Sequence, residues 1–143
     1  MSSKKIQLKI VTPERLVLEE IVDQVTLPTL EGEITILPEH IPVIVGLKSG
    51  DIVAQSGGEP IPFAVSGGFV EVKTAIAVLA DFAEHVADIT DEAIANARAK
   101  SEELKKQMED KGAVGFEHFE AELERSLTRV KIADKWRTKK YRK

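Results

Sequence analysis

The sequence predicts a β + α protein: an N-terminal antiparallel β-sandwich, residues 1–88, followed by a C-terminal antiparallel two-helix hairpin, residues 89–143. Three observations predict it. Apolar and polar residues alternate with period two up to about residue 88, as strands with one buried face require. Turn signals interrupt that alternation at short intervals. Beyond residue 88 the composition shifts to Ala, Glu, Lys and Leu with helical spacing.

The strand pattern is carried in order by Ile6, Leu8 and Ile10, by Ile34 and Ile36, and by Val43 and Val45. Ile61, Phe63 and Val65, then Ile76 and Val78, continue it. The turns are marked by Thr12-Pro13, Glu31-Gly32, Pro38-Glu39, Ser49-Gly50, Gly57-Gly58 and Gly67-Gly68. Many short strands between regular turns predict two packed antiparallel sheets. Pro28, Pro38, Pro42, Pro60 and Pro62 have no N–H to donate, so they belong at strand ends, edges or bulges.

The first helix opens at Thr90, a capping residue, with Asp91 and Glu92 in the first turn at the positive end of the helix dipole. Its apolar stripe is Ala93, Ala97, Leu104 and Met108. The stretch Lys111 to Gly115, with its two glycines Gly112 and Gly115, ends it. The second helix runs from about Phe116, with a stripe of Phe116, Phe119, Leu123, Leu127, Val130 and Ala133. A short loop between two amphipathic helices makes them antiparallel neighbours.

Composition narrows the function. The 143 residues contain no cysteine, which removes disulfides, thiol catalysis and thiolate metal sites and fits a reducing compartment. No apolar run approaches the ~20 residues of a membrane span, and the start carries no signal-peptide pattern. The expectation is a soluble cytoplasmic protein. His40, His85 and His118 lie far apart without ligand spacing, so no metal site is expected. There is no phosphate-binding glycine loop, and Ser66-Gly67-Gly68 lacks the glycine before the serine that a nucleophile elbow needs; it reads as a hairpin turn. No catalytic residue is assigned, and the chain reads as a binding protein, not an enzyme.

Charge is uneven along the chain. Up to Asp88 there are six basic and thirteen acidic residues; from Ile89 there are fourteen and eleven. On a helical wheel, Arg125, Arg129, Ile132 and Trp136 cluster opposite the seam of the second helix. They form either a solvated face or a docking face; Trp with Arg is the composition of a binding hot spot, which favours the second. The basic end, including Lys139 and Lys140, extends that face. An acidic protein surface is as good a target for it as nucleic acid, and the acidity of the rest of the chain counts against nucleic acid. A free-standing adaptor that binds nucleic acid or an acidic partner through this helix is the alternative reading.

Four stretches in register resemble the epsilon subunit of the rotary F-type ATP synthase. Residues 32–50 contain Gly32-Glu33, then Pro38-Glu39-His40-Ile41-Pro42, then Leu47-Lys48-Ser49-Gly50, similar to that family's hallmark. Val11-Thr12-Pro13-Glu14, the segment 63–72 around Ser66-Gly67-Gly68, and Val78-Leu79-Ala80-Asp81 resemble its other strands. The resemblance implies a central-stalk subunit that couples the rotor to the membrane ring and inhibits ATP hydrolysis through its C-terminal helices. Its partners would be the gamma subunit and the ring, with the catalytic beta and alpha subunits in an extended state. It would sit peripherally on the cytoplasmic side of the cell membrane, touching membrane only through the complex.

By position, Glu33 and His40 would face the ring and the gamma subunit. His40 has a second, local reading, satisfying the backbone of a strained turn between two prolines. Some members of the family bind ATP through an Ile/Leu-Asp-x-x-Arg-Ala motif opening the first helix, with arginines from the second. Here Thr90 and Ala93 stand where that motif has Asp and Arg, while Arg125 and Arg129 match the second-helix arginines. No cofactor is therefore expected, and Asp91, Arg125 and Arg129 are what an ATP site in a shifted register would use.

Overall fold

The computed structural model describes residues 4–111 and 116–141, with side chains described for 4–109 and 120–137. The chain divides into two compact units, Met1–His85 and Val86–Lys143.

The first unit is one sheet of eight strands folded over into a sandwich. Its strands are β1 (Ile6–Val11), β2 (Leu16–Val22), β3 (Gln24–Thr29), β4 (Gly32–Ile36), β5 (Val43–Gly46), β6 (Gly50–Ser56), β7 (Glu59–Val72) and β8 (Ala75–His85). They lie in the order β2-β1-β8-β7-β6-β3-β4, with β5 also on β7. Every pairing is antiparallel except that of β1 with β8. The alternating residues meet inside: Leu8, Ile10, Leu27, Ile36, Ile52, Phe63 and Ile76 are fully buried. Each such side chain contributes roughly 1.5–3 kcal/mol.

β7 is the strand that joins the two layers. Its first half pairs with β6 from Glu59 to Val65, and its last residues, Phe69 to Val72, pair with β5 instead. Between them Gly67 and Gly68 have φ of 67° and 111°. Across that bend the large buried side chains change from odd positions, Phe63 and Val65, to even ones, Val70 and Val72. A Cβ on Gly68 would stand 2.1 Å from the Leu79 carbonyl oxygen, so the strand can cross β8 there only as glycine. Ser66-Gly67-Gly68 is thus a mid-strand bend and not the hairpin turn that the glycine pair suggests. Pro60 and Pro62 precede the part of β7 that pairs with β8, so their missing donors break no second ladder.

The second unit begins with a 3₁₀ turn, Val86–Asp88, followed by α1 (Asp91–Lys111) and α2 (Phe116–Tyr141). Thr90 caps α1: its hydroxyl oxygen accepts from the Ala93 N–H at 3.0 Å. On α1 the buried residues are Ile94, Ala97, Ser101 and Leu104. Ala93 is only half-buried, so the stripe runs through Ile94 and takes in a serine. On α2, Ser126 and Ala133 are buried whereas Leu127 is 40% exposed. The spacings 94, 97, 101, 104 and 123, 126, 130, 133 follow a heptad seam, which leaves Leu127 one position outside it.

Candidate functional site

The residues singled out by sequence fall into separate places. On the sandwich, Glu33 is exposed at the start of β4, paired across the strand with Pro28. His40 lies beyond the other end of β4, in the segment 37–42. At ~3.3 Å per residue, about 13 Å of strand separates Glu33 from the start of that segment.

Local chemistry fixes the segment. Glu39 has φ of 67°, a left-handed conformation that non-glycine residues seldom adopt. The next residue turns the chain back, with the His40 N–H bonded to the Leu37 carbonyl at 3.1 Å. His40 Nδ1 lies 2.7 Å from the Ile41 carbonyl oxygen, so Nδ1 carries the proton and donates. The Glu39 carboxylate accepts from Lys4 Nζ at 2.9 Å, tying the turn to the N-terminal segment. The half-buried imidazole thus has the local role that one of its two readings assigns. Beside it is a groove of about 710 Å³ lined by Lys4, Lys5, Pro38, His40, Pro42 and Lys73, and Ile41 projects from the same segment 74% exposed.

Asp23 is the described titratable group with a resolved shift. Its carboxyl is held below the ordinary value of 3.8, first by the hydrogen bond from Lys5 Nζ at 2.6 Å and then by the Gly57 N–H at 2.8 Å.

Sequence reasoning missed a surface that strand register reveals. Val11 pairs with Leu16 and with Leu79, Leu79 with Phe69, and Phe69 with Gly46, over which the Leu30 side chain lies. Cross-strand partners share a face. Leu16, Leu79, Phe69 and Leu30, all exposed, therefore form an apolar row across one outer face. Alternation points to a buried face; only register aligns the exposed apolar residues of distant strands. A contiguous apolar strip of this kind marks an interaction surface.

On the hairpin, Arg125 is exposed and Arg129 and Trp136 are half-buried, all on one side of α2 at i, i+4 and i+11. Lys135 Nζ is 5.9 Å from the Trp136 ring centroid, a cation–π contact. Ile132 departs from expectation. It is 4% exposed, and so is not part of a solvent-facing patch with the arginines. A wheel assigns burial to one stripe, but Thr128 and Ile132 are withdrawn from solvent as well. The side chains of His118, Lys139 and Lys140 lie outside the described residues.

The three ATP candidates do not converge. Asp91 forms an ion pair with Arg137. In an antiparallel hairpin, Arg129 and Arg125 are then displaced from Asp91 by eight and twelve residues of α2, about 12 Å and 18 Å along its axis. Among the described residues no group of three or more His, Cys, Asp or Glu is placed to hold a metal ion, and no helix is long and apolar enough to cross a membrane.

Comparison with known proteins decides the family. Residues 5–86 match the model of the ATP synthase delta/epsilon chain β-sandwich domain. The ATP synthase epsilon chain of Desulforamulus reducens is 40% identical over 134 residues, 92% of this chain and 99% of that one. The chain belongs to the ATP synthase epsilon chain family. The epsilon chain of Dehalococcoides mccartyi is 41% identical over 136 residues, 93% of this chain and 95% of its own length. Among solved structures, a chain of the Euglena gracilis mitochondrial ATP synthase, in an OSCP/F1/c-ring assembly, matches in fold with a TM-score of 0.67 at 24% identity. That match covers 87% of this chain and 78% of the other. The epsilon-chain relatives thus align across both units, the hairpin as well as the sandwich.

Proposed function

We propose that this epsilon-family chain is the non-catalytic central-stalk subunit of a proton-translocating F-type ATP synthase. In this reading the sandwich couples the rotor to the membrane ring, and the hairpin inhibits ATP hydrolysis. The observation that carries it is the 40% identity running through 99% of an epsilon chain, hairpin included.

The apolar row Leu30–Phe69–Leu79–Leu16 gives the sandwich a surface for gripping the gamma subunit, with burial of apolar area as the driving force. The segment around His40, shaped by Glu39 and carrying exposed Ile41, offers a protruding tip for the ring, with Glu33 on the flanking edge strand. The hairpin acts by presenting Arg125, Arg129 and Trp136 to acidic surface on the catalytic subunits when it extends. About 50 helical residues in line span roughly 75 Å, a reach long enough for a helix anchored at the ring to enter the catalytic assembly. In this reading the chain is held at the cytoplasmic side of the membrane by its complex, needs no cofactor and binds no nucleic acid.

The test is reconstitution. Purified chain added to an ATPase complex depleted of its epsilon subunit should bind through gamma, restore proton-coupled turnover and lower uncoupled hydrolysis. A chain that fails to bind the depleted complex, yet binds nucleic acid with a steep salt dependence, would make the adaptor reading the right one.

A further inference from the structure

Among the described residues, three ion pairs join α1 to α2. Arg98 Nη2 lies 2.6 Å from Asp134 Oδ2, Lys100 Nζ lies 3.3 Å from Glu122 Oε1, and Arg137 pairs with Asp91. Their positions relative to the seam are informative. With Ile94 and Leu123 as a positions, Arg98 and Asp134 both fall at e, and Lys100 and Glu122 both at g. In an antiparallel pair of helices, e faces e and g faces g, so the two contacts lie on opposite flanks of the seam. Half of the seam between them is built of small side chains, Ala97, Ser101, Ser126 and Ala133, all buried.

We propose that these ion pairs form a two-sided electrostatic latch that holds the hairpin closed in its antiparallel register and loosens as salt rises. These four remove little apolar area, and Leu123 and Val130 opposite Ile94 and Leu104 are only half-buried, so the seam alone sets a shallow preference for the closed form. Flanking charges then contribute a large share of the bias. They also select register: sliding α2 by one heptad would separate Arg98 from Asp134 by about 10 Å and break the pair. The role of e and g charges in fixing orientation is general for paired helices. Each pair is more than a third exposed on at least one partner, so each is weak alone and open to screening. A latch of several weak contacts can be released stepwise, which suits a hairpin that must open.

The inference rests on the reading that the hairpin opens, and its test is kept independent of ATPase activity. The chain has no cysteine, so Glu102→Cys and Ala121→Cys, both exposed, give a unique pair of labels across the two helices. Distances between spin labels on the full chain report the ratio of open to closed hairpin. Raising salt from about 0.01 M to about 1 M, where the screening length falls from roughly 30 Å to 3 Å, should increase that ratio. Arg98→Glu should raise it about three- to tenfold at low salt, and Asp134→Arg likewise. Arg98→Glu with Asp134→Arg should return it to the parent value, and Arg98→Gln should shift it less than Arg98→Glu. A double reversal as open as the single variants, or a ratio indifferent to salt, would overturn the latch. Variants that open the hairpin but leave hydrolysis of a rebuilt complex unchanged would keep the latch and remove the regulatory role.

Discussion

The sandwich and the hairpin are built from different interiors. The sandwich closes over Phe63, Leu8, Ile10, Leu27, Ile36, Ile52 and Ile76, all fully buried. The hairpin seam has Ile94 and Leu104 as its large buried side chains on α1 and half-buried Leu123 and Val130 on α2; the rest is alanine and serine, flanked by exposed ion pairs. The difference teaches where each unit's free energy lies. A core of large aliphatic groups resists a second arrangement, whereas a seam that is half small groups, flanked by screened charges, resists it less. In the proposed function the first unit is the fixed grip and the second the moving part.

The sharpest test of that contrast is truncation inside each unit. Phe63→Ala removes a ring that is packed in the core and stacked on His85 with centroids 5.0 Å apart. It should destabilise the sandwich by about 3–5 kcal/mol. Leu104→Ala in the seam should lose only about 2 kcal/mol, the low end for such a change, because a two-helix seam collapses more readily than a sandwich core. Denaturant unfolding followed by circular dichroism separates the two. Equal losses would mean that the seam is packed as rigidly as the sandwich. As a companion, a fragment ending at Asp88 should stay soluble with a β-type spectrum, and an unfolded fragment would deny the sandwich its independence.

How much of this is legible in sequence follows the same division. Alternation at Ile6, Leu8 and Ile10 or at Ile76 and Val78 reports burial directly, because a strand has two faces and one is dry. The bend at Gly67-Gly68 escapes it, since two glycines signal a turn and a kinked strand alike, and only the β8 partner distinguishes them. In the hairpin, hydrophobicity misplaces the seam at Leu127 and Ala93, because serine fits a close helix contact while Ser101 and Ser126 count as polar. A wheel that assumes one buried stripe places Ile132 outward. The segment at His40 is legible as a motif, but the apolar row from Leu16 to Leu30 is not, being assembled from strands and turns far apart in sequence.

A second prediction concerns the moving part in its complex. If α2 acts by docking on acidic surface, Trp136→Ala should remove a large anchor, a change of about 2 kcal/mol or more at a hot spot, and so relieve inhibition. Glu at both Arg125 and Arg129 should also relieve it, by removing complementary charge. Binding of the sandwich to gamma should be unaffected in both. ATP hydrolysis and gamma capture, measured on complexes rebuilt with these variants, decide it. Unchanged inhibition would reduce this side of α2 to an ordinary solvated surface. For the fixed grip the corresponding variant is Ile41→Asp, which should weaken assembly while leaving the thermal midpoint in place, since Ile41 packs against little.

A smaller effect is expected at Asp23, which ties Lys5 to Gly57 on the sandwich. Its carboxyl is held below 3.8, so the folded state binds its proton less readily than the unfolded chain does. The stabilisation is therefore complete above the unfolded value and is lost as pH falls through the folded one. Asp23→Asn should lower the thermal midpoint slightly at neutral pH and converge with the parent in acid. A gap between the two that stays constant down to strong acid would mean that the charge contributes nothing and the loss is one of packing.

The smallest expected effect is that of ATP on the hairpin, where no shift is predicted. A nucleotide site needs charge for the phosphates and a specific contact for the base, gathered within one ligand's length. Thr90 is used as the cap of α1 and Ala93 donates its N–H to that cap, so the first-helix positions of the family motif supply no charge. Asp91 is engaged by Arg137, and the second-helix arginines stand about two to three turns further along α2. Binding at a hundredfold excess over Kd would add about 2.7 kcal/mol to the state that binds, enough to move a melting curve plainly. The label distances across α1 and α2 and the melting temperature, each measured with millimolar ATP and with GTP as control, should both stay still. A rise in melting temperature with ATP alone, lost in Arg125→Ala and Arg129→Ala, would establish a site in a shifted register. It would also move the hairpin from a part set by charge and salt to one set by nucleotide.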